Sequence, residues 1–120
     1  MIDAIHIEQI REHGGLPGVR DDTALESALA RPQHKWPYRK RVDVPALGAA
    51  YAYGLVTSHP YRDGNKRIGF LAMATFLSLN GYEFDATDAE VVTEIVALAA
   101  GDVSEEALVA WVRHHSRRRD

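Results

Sequence analysis

The 120-residue sequence contains no cysteine, which excludes disulfide bonds, thiolate metal sites and cysteine nucleophiles. It also contains no apolar run that approaches the roughly 18 residues of a membrane span. Its beginning, MIDAIHIE, has no basic segment followed by an apolar one and so does not resemble a secretion signal. We therefore expect a single domain over residues 1–120, located in the cytoplasm and not attached to a membrane.

Charge of one sign is missing from part of the chain. Residues 81–106 contain no lysine or arginine, whereas residues 31–67 are rich in both and include only Asp43 and Asp63 as acidic residues. The net charge of −3 argues against general nucleic-acid binding, so we expect no direct nucleic-acid partner. A basic zone favours an anionic ligand. The alternative is that both segments form only solvated faces that keep the domain soluble.

The hydrophobic pattern predicts an all-α fold, a compact bundle of about six helices. Thr23 and Glu26 form a capping box that predicts the start of the second helix, and Pro32 predicts its end. Two later helices are apolar on nearly all sides and therefore belong in the middle of the domain. Only residues 82–84 suggest a strand, and residues 117–119 are interpreted as a helix end with a frayed tail. The predicted helices cover about residues 3–13, 24–30, 46–57 and 65–79, followed by two that begin after Thr87 and Ser104.

A polar loop at residues 58–67 separates the two buried helices. Charged groups are costly in a core unless they are paired or used, so we expect this loop to open onto a cleft. The loop ends where the next helix begins, and backbone N–H groups at such a point favour an anion. Gly64 allows a phosphate to approach the backbone, and Lys66 and Arg67 add positive charge in the first turn. The loop is therefore predicted to be a phosphate cradle.

Two side chains of this loop suggest the chemistry. His59 is the natural general base, because histidine can accept a proton near neutral pH. Asp63 is a hard oxygen donor that suits Mg²⁺ bound to nucleotide phosphates. The alternatives are that Asp63 and Asn65 only cap the next helix, and that Lys66 and Arg67 are surface charges.

The segment 59–67, HPYRDGNKR, resembles the motif of the Fic family, His-Pro-Phe-x-(Asp/Glu)-Gly-Asn-Gly-Arg-x-x-Arg. It is more similar still to the Doc branch of that family, in which lysine follows the asparagine. The resemblance covers most of the chain and implies a Fic-type helical bundle with the active-site loop between its two central helices. Three further segments look Doc-like, namely GGLPGVRD at 14–21, RPQ at 31–33 and the Asn-Gly pair at 80–81.

The resemblance also implies a role for each residue of the loop. His59 would deprotonate the target hydroxyl, and Asp63 would bind Mg²⁺. Gly64 and Asn65 would form the hole for the transferred anionic group. Arg67 would clamp the nucleotide phosphates.

Two departures from the general Fic motif distinguish between reactions. Fic enzymes that transfer AMP have glycine where this chain has Lys66, and a second arginine where it has Phe70. In the Doc branch the lysine form is associated with a reversed nucleotide and kinase activity. The resemblance therefore implies that Lys66 helps to bind phosphate. It also implies that residues 33–41 form a flap that aligns the target segment.

The biological setting implied by the Doc branch is a toxin–antitoxin pair. The toxin would use ATP and Mg²⁺ to phosphorylate a serine or threonine of elongation factor Tu. A small Phd-like antitoxin would restrain it by laying a C-terminal helix in a groove. Two alternatives stay open, an AMP transferase and a Fic-like binding module without activity.

Overall fold

In the computed structural model, which describes residues 18–35, 43–60 and 64–119, the described chain is mostly helical. The predicted all-α bundle is confirmed, with five helices and a two-stranded sheet within those ranges. The predicted helix at 3–13 lies outside the described residues. The elements are α1 (Asp22–Lys35), α2 (Val44–Ser58), α3 (Asn65–Leu79), β1 (Tyr82–Phe84), α4 (Asp88–Ala99), α5 (Glu105–His115) and β2 (Ser116–Arg118).

The start of α1 differs from the prediction. Asp21, not Thr23, caps the helix, because the Asp21 Oδ1 atom accepts a hydrogen bond from the backbone N–H of Ala24 at 3.0 Å. The backbone carbonyl of Asp21 also accepts the N–H of Leu25, as the first bond of a helix does. Aspartate caps a helix at least as well as threonine. The helix therefore begins at the earlier of the two possible caps.

The end of α1 also differs, since the helix continues through Pro32 to Lys35. Proline inside a helix lacks the N–H that would bond to the carbonyl of Ala28 and typically costs about 3 kcal/mol. Ala28 lies against α2, where its backbone atoms come within 3.0–3.2 Å of the position that a Cβ on Gly54 would take. Pro32 is itself buried. Packing of α1 on α2 thus offsets a cost that local sequence reasoning took as decisive.

Helix α2 is the centre of the molecule. Its N-cap is Asp43, whose side chain accepts the N–H of Ala46, and Pro45 stands in the first turn, where a missing N–H costs nothing. Two hydrophobic clusters cover it, one shared mainly with α1 and α3 and the other with α3, α4 and α5. The first contains Leu25, Ala28, Leu55, Ile68 and Ala72, and the second Ala49, Ala52, Val56, Met73, Leu77, Ile95, Leu98, Leu108 and Val112.

An ion pair fixes the start of α2 to α5. The guanidinium of Arg113 donates to both carboxylate oxygens of Asp43, at 2.9 and 3.0 Å. Partial burial tends to raise the pKa of the Asp43 carboxyl, but the hydrogen bonds from Arg113 and from Ala46 N–H outweigh it and leave this pKa below its ordinary value. The Asp43 carboxylate therefore stabilises the fold where it is ionised.

The close approach of α2 and α3 depends on a glycine. A Cβ built on Gly69 of α3 would lie 2.5 Å from the Cγ2 atom of Val56 on α2, far inside van der Waals contact. Both residues are buried. Because only hydrogen fits at this point, the residue type at 69 sets the separation of the helices that carry the two ends of the polar loop.

The sheet joins β1 to β2 in antiparallel register, with Glu83 opposite Arg117. The predicted strand at β1 is confirmed, whereas the interpretation of residues 117–119 as a frayed tail is wrong. The Arg117 side chain donates to the Glu83 carboxylate at 2.7 Å, and the backbone N–H of Arg119 donates to the carbonyl of Gly81 at 2.7 Å. Partners about 35 residues away in sequence order this segment, and local patterns do not reveal such partners.

The predicted starts of α4 and α5 are confirmed. Thr87 and Glu90 make both hydrogen bonds of a capping box, at 2.9 and 3.2 Å. The Ser104 hydroxyl accepts the N–H of Ala107 at 3.1 Å. Among the described residues, no helix has the length and apolar character needed to cross a bilayer.

Candidate active site

His59 caps the C-terminus of α2 in an unusual backbone conformation. Its φ and ψ are 48° and 54°, and among the described residues it is the one non-glycine with positive φ. For an L-residue this left-handed conformation costs on the order of 1–2 kcal/mol. Conformations of this kind persist only where the surroundings hold them, and they cluster at functional sites. We therefore infer that its surroundings hold the exposed His59, the residue predicted to be the general base, in this backbone conformation.

The three carbonyls around His59 are held by the segment that precedes α1. Arg20 donates from Nε to the carbonyl of His59 at 2.8 Å and from Nη2 to that of Ser58 at 3.2 Å. The carbonyl of Pro60 accepts the backbone N–H groups of Arg20 and Asp21, at 2.7 and 3.0 Å. Pro60 is fully buried. The first half of the polar loop is thus fixed to the core and to α1.

The other end of the loop is the N-terminus of α3. Gly64 is the N-cap, with φ 76° and ψ 15°, and its carbonyl accepts the N–H of Ile68 at 2.9 Å. The first turn of α3, which the structure describes in full, has no acidic residue, and a glycine N-cap has no side chain to bond its N–H groups. Lys66 is exposed and Arg67 is half-buried. Positive helix end and cations together suit an anion such as phosphate.

An apolar groove runs beside this helix end. It has a volume of about 210 Å³, and Lys66, Arg67 and Phe70 of α3 line one side. The α4 side includes Val92 and Val96, which are 61% and 51% exposed. Two exposed valines on one face of α4 thus lie next to two cations of α3.

Phe70 has an aromatic and apolar environment. Its ring lies 5.8 Å from the ring of Phe84, in an edge-on arrangement that joins α3 to β1. It is one turn beyond Lys66, on the same groove. The position at which the general Fic motif has its second arginine is therefore apolar and packed in this chain.

A separate group of titratable residues surrounds His115. Its Nδ1 lies 3.0 Å from the carbonyl of Asp85, and its Nε2 lies 3.6 Å from the Glu90 carboxylate. Burial raises the pKa of Glu94, with His115 opposing this effect. Glu90 and Glu94 lie on a different face of α4 from the groove. Within the described ranges, no cluster of three or more potential metal ligands occurs here or elsewhere.

The structure places His59 at one end of the loop and Gly64, Asn65, Lys66 and Arg67 at the other. Both ends belong to helices in direct contact. Residues 61–63, including the predicted Mg²⁺ ligand Asp63, lie outside the described residues. Residues 36–41 of the predicted flap also lie outside them.

Sequence reasoning did not assign a role to Arg20. The available signal was indirect, because the last turn of α2, LVTS, offers no basic side chain to bond its own terminal carbonyls. Arg20 supplies donors to these carbonyls from another part of the chain.

Comparison with known proteins places this site in a family. The model of the Fic/DOC family matches residues 1–77, a span that contains the whole polar loop. The chain belongs to the Fic/DOC family. It is also similar to the protein kinase doc of Escherichia phage P1, with 30% identity over 111 residues, covering 92% of this chain and 86% of that protein. The family assignment of the loop is thus supported by similarity far beyond the motif.

Proposed function

We propose that this chain is a Doc-type protein kinase that transfers the γ-phosphate of ATP, with Mg²⁺, to a serine or threonine hydroxyl of a translation factor. Elongation factor Tu is the first candidate target, and the enzyme would act as the toxin of a toxin–antitoxin pair. Similarity to protein kinase doc over 92% of the chain supports this class of function. The observation that carries the choice of kinase is the environment of Phe70.

Phe70 favours phosphate transfer over AMP transfer. AMP-transferring relatives use an arginine at this position, where it can hold nucleotide phosphates. Here the side chain is a phenyl ring packed against Phe84 in an apolar groove, so it offers no donor to a phosphate. Among the described residues that line the groove, the cations are Lys66 and Arg67, both in the first turn of α3. Charge to stabilise a transferred group is therefore concentrated at the helix N-terminus beside the loop.

The proposed mechanism uses the two ends of the loop for different tasks. His59 would accept the proton of the target hydroxyl, which a positioned base accelerates by roughly 10²–10⁴. The N-terminus of α3, with Gly64 and Asn65, would hold the transferred phosphoryl group, and Lys66 and Arg67 would stabilise its charge. The proposed Mg²⁺ ligand is Asp63, chosen for its hard carboxylate donor. Bound Mg²⁺ would supply further neutralisation of phosphate charge.

The groove between α3 and α4 is the proposed site of the antitoxin. We expect its occupant to be the C-terminal helix of a Phd-like protein, with apolar side chains over Val92 and Val96 and an acidic side chain near Lys66. The apolar surface matches an amphipathic helix, and the cations at one end give it a direction. Occupancy would cover Arg67 and so inhibit the enzyme. Exchange of Val92 for lysine should weaken inhibition without loss of transferase activity.

The test is the intact mass of purified elongation factor Tu after incubation with this protein, ATP and Mg²⁺. We expect the addition of one phosphate, lost in His59→Ala and retained in His114→Ala, which removes an exposed histidine from α5. The addition of AMP would refute the choice of kinase. If elongation factor Tu stays unmodified, it is not the target. If no protein in a cell lysate is modified either, the proposed function is contradicted.

A further inference from the structure

The C-terminus of α2 depends on a side chain from outside the helix. The last carbonyls of a helix have no partner within it, and basic side chains nearby are favourable there. The last turn of α2 has no basic residue, and the guanidinium of Arg20 takes this place. It donates to the carbonyls of Ser58 and His59 at 3.2 and 2.8 Å.

These two carbonyls determine the backbone conformation of His59. The carbonyl of Ser58 lies in the peptide plane before the His59 Cα atom, and the carbonyl of His59 lies in the plane after it. The rotations of these two planes about the N–Cα and Cα–C bonds of His59 are φ and ψ. One rigid guanidinium that bonds to both oxygens therefore restrains both angles at once.

The restraint acts against the intrinsic preference of His59. A left-handed conformation is unfavourable for a residue with a side chain, and a residue that precedes proline prefers an extended backbone. His59 has φ 48° and is followed by the buried Pro60. Released from its restraint, His59 should move towards extended angles, which would turn its imidazole away from the present direction.

We propose that Arg20 is a positioning residue of the active site, which sets the direction of the His59 imidazole through the backbone without touching the reacting atoms. The inference rests on the proposed role of His59 as the base. Arg20 is itself anchored, since Asp21 caps α1 and Leu25 packs in the cluster that includes Leu55 and Ile68. The start of α1 thus helps to orient His59, the proposed general base.

The test compares Arg20→Ala with Arg113→Ala. Arg113 also donates from Nε and Nη2 to two oxygens at α2, but at the opposite end, on the cap residue Asp43. Each variant removes one positive charge and two side-chain hydrogen bonds from the same helix. The readouts are the Cα and imidazole NMR signals of His59, the midpoint of thermal unfolding, and kcat and KM for ATP in the transferase assay described above.

We expect the His59 signals to move in Arg20→Ala and to stay unchanged in Arg113→Ala. The kcat should fall roughly ten- to hundredfold in Arg20→Ala with KM for ATP unchanged, since misplacement of a reacting group on the order of 1 Å can cost 10²-fold. Arg20→Lys should recover part of the rate, because its ammonium can bond to the carbonyls but lacks the fixed fork. It also replaces Arg20→Ala if the alanine variant does not fold.

Two results would overturn the proposal. One is an Arg20 variant with unchanged His59 signals. The other is an equal loss of kcat in Arg113→Ala, which would assign the effect to general destabilisation. If the wild-type protein transfers nothing, the proposed function fails, and the NMR comparison still decides whether Arg20 holds His59.

Discussion

The contact between Gly69 and Val56 leads to a prediction about the two central helices. In an ordinary helix, replacing glycine by alanine stabilises by roughly 0.5–1 kcal/mol. At position 69 the added methyl would lie 2.5 Å from the Val56 Cγ2 atom, in the fully buried interface of α2 and α3. A valine in a helix has one strongly preferred rotamer, so it cannot turn aside. The helices must separate instead.

The expected magnitude follows from these opposing terms. Extra methyl groups in a packed core cost typically about 1–3 kcal/mol, so Gly69→Ala should destabilise the fold by about 1–2 kcal/mol after the gain in helix propensity. Val56→Ala alone should cost about 2 kcal/mol for the lost apolar volume. In the double variant the alanine methyl enters the space that the valine leaves. Gly69→Ala should therefore be neutral or stabilising in that background.

The assay is a double-mutant cycle in which urea denaturation gives the free energy of unfolding of each variant. The dependence of this free energy on urea concentration should be the same for all four proteins. The two single costs should fail to add by roughly 1–3 kcal/mol. A matched control is Gly48→Ala, whose methyl would meet side-chain atoms of Leu77 at 3.3 Å and of the flexible Met73 at 3.4 Å and should be nearly neutral. If the costs of the Gly69 and Val56 changes add within about 0.5 kcal/mol, this contact does not set the spacing of α2 and α3.

Three further predictions concern caps and ion pairs. Asp43→Ala should cost about 1–2 kcal/mol, from the lost cap and the half-exposed pair with Arg113, and Asp43→Asn less than about 1 kcal/mol because it keeps the cap. The pKa of Asp43 is lower in the folded than in the unfolded protein. Its contribution to the free energy of unfolding is therefore present above the unfolded pKa of about 4 and lost as pH falls through the folded pKa. Denaturation at several pH values measures this loss. Arg31 of α1 donates to the Glu105 carboxylate of α5 at 2.6 Å, and the Glu105 side chain is 11% exposed. Glu105→Gln removes the negative charge of this pair and should cost about 1–3 kcal/mol by calorimetry; a neutral effect would contradict a stabilising pair. Thr87→Ala should lower stability by about 1 kcal/mol, and Thr87→Ser should not.

The features that sequence reasoning found are local ones. The caps at Thr87 and Ser104 require only neighbouring residues, because a side-chain oxygen bonds to an N–H three positions later. The uncharged composition of α2 similarly indicated its central place. The site prediction, which stays a prediction, likewise rests on one contiguous segment, 59–67.

The features that it missed depend on distant contacts. The helix α1 passes through Pro32 because α2 supports it, and β2 forms because Glu83 and Gly81 lie beside it. Arg20 is 38 and 39 positions away from the two carbonyls that it bonds. A sequence pattern reports the preference of each residue but not its partner in space, so these outcomes required the fold.

A comparison of energies explains why the conformation of His59 should respond to a single distant side chain. The left-handed backbone costs about 1–2 kcal/mol. The two Arg20 hydrogen bonds are exposed, so each contributes only about 0.5–1 kcal/mol, near the lower range for such bonds. Cost and compensation are therefore of similar size. With the guanidinium present the held conformation is favoured, and without it the balance shifts towards an extended backbone at the residue proposed to remove the proton.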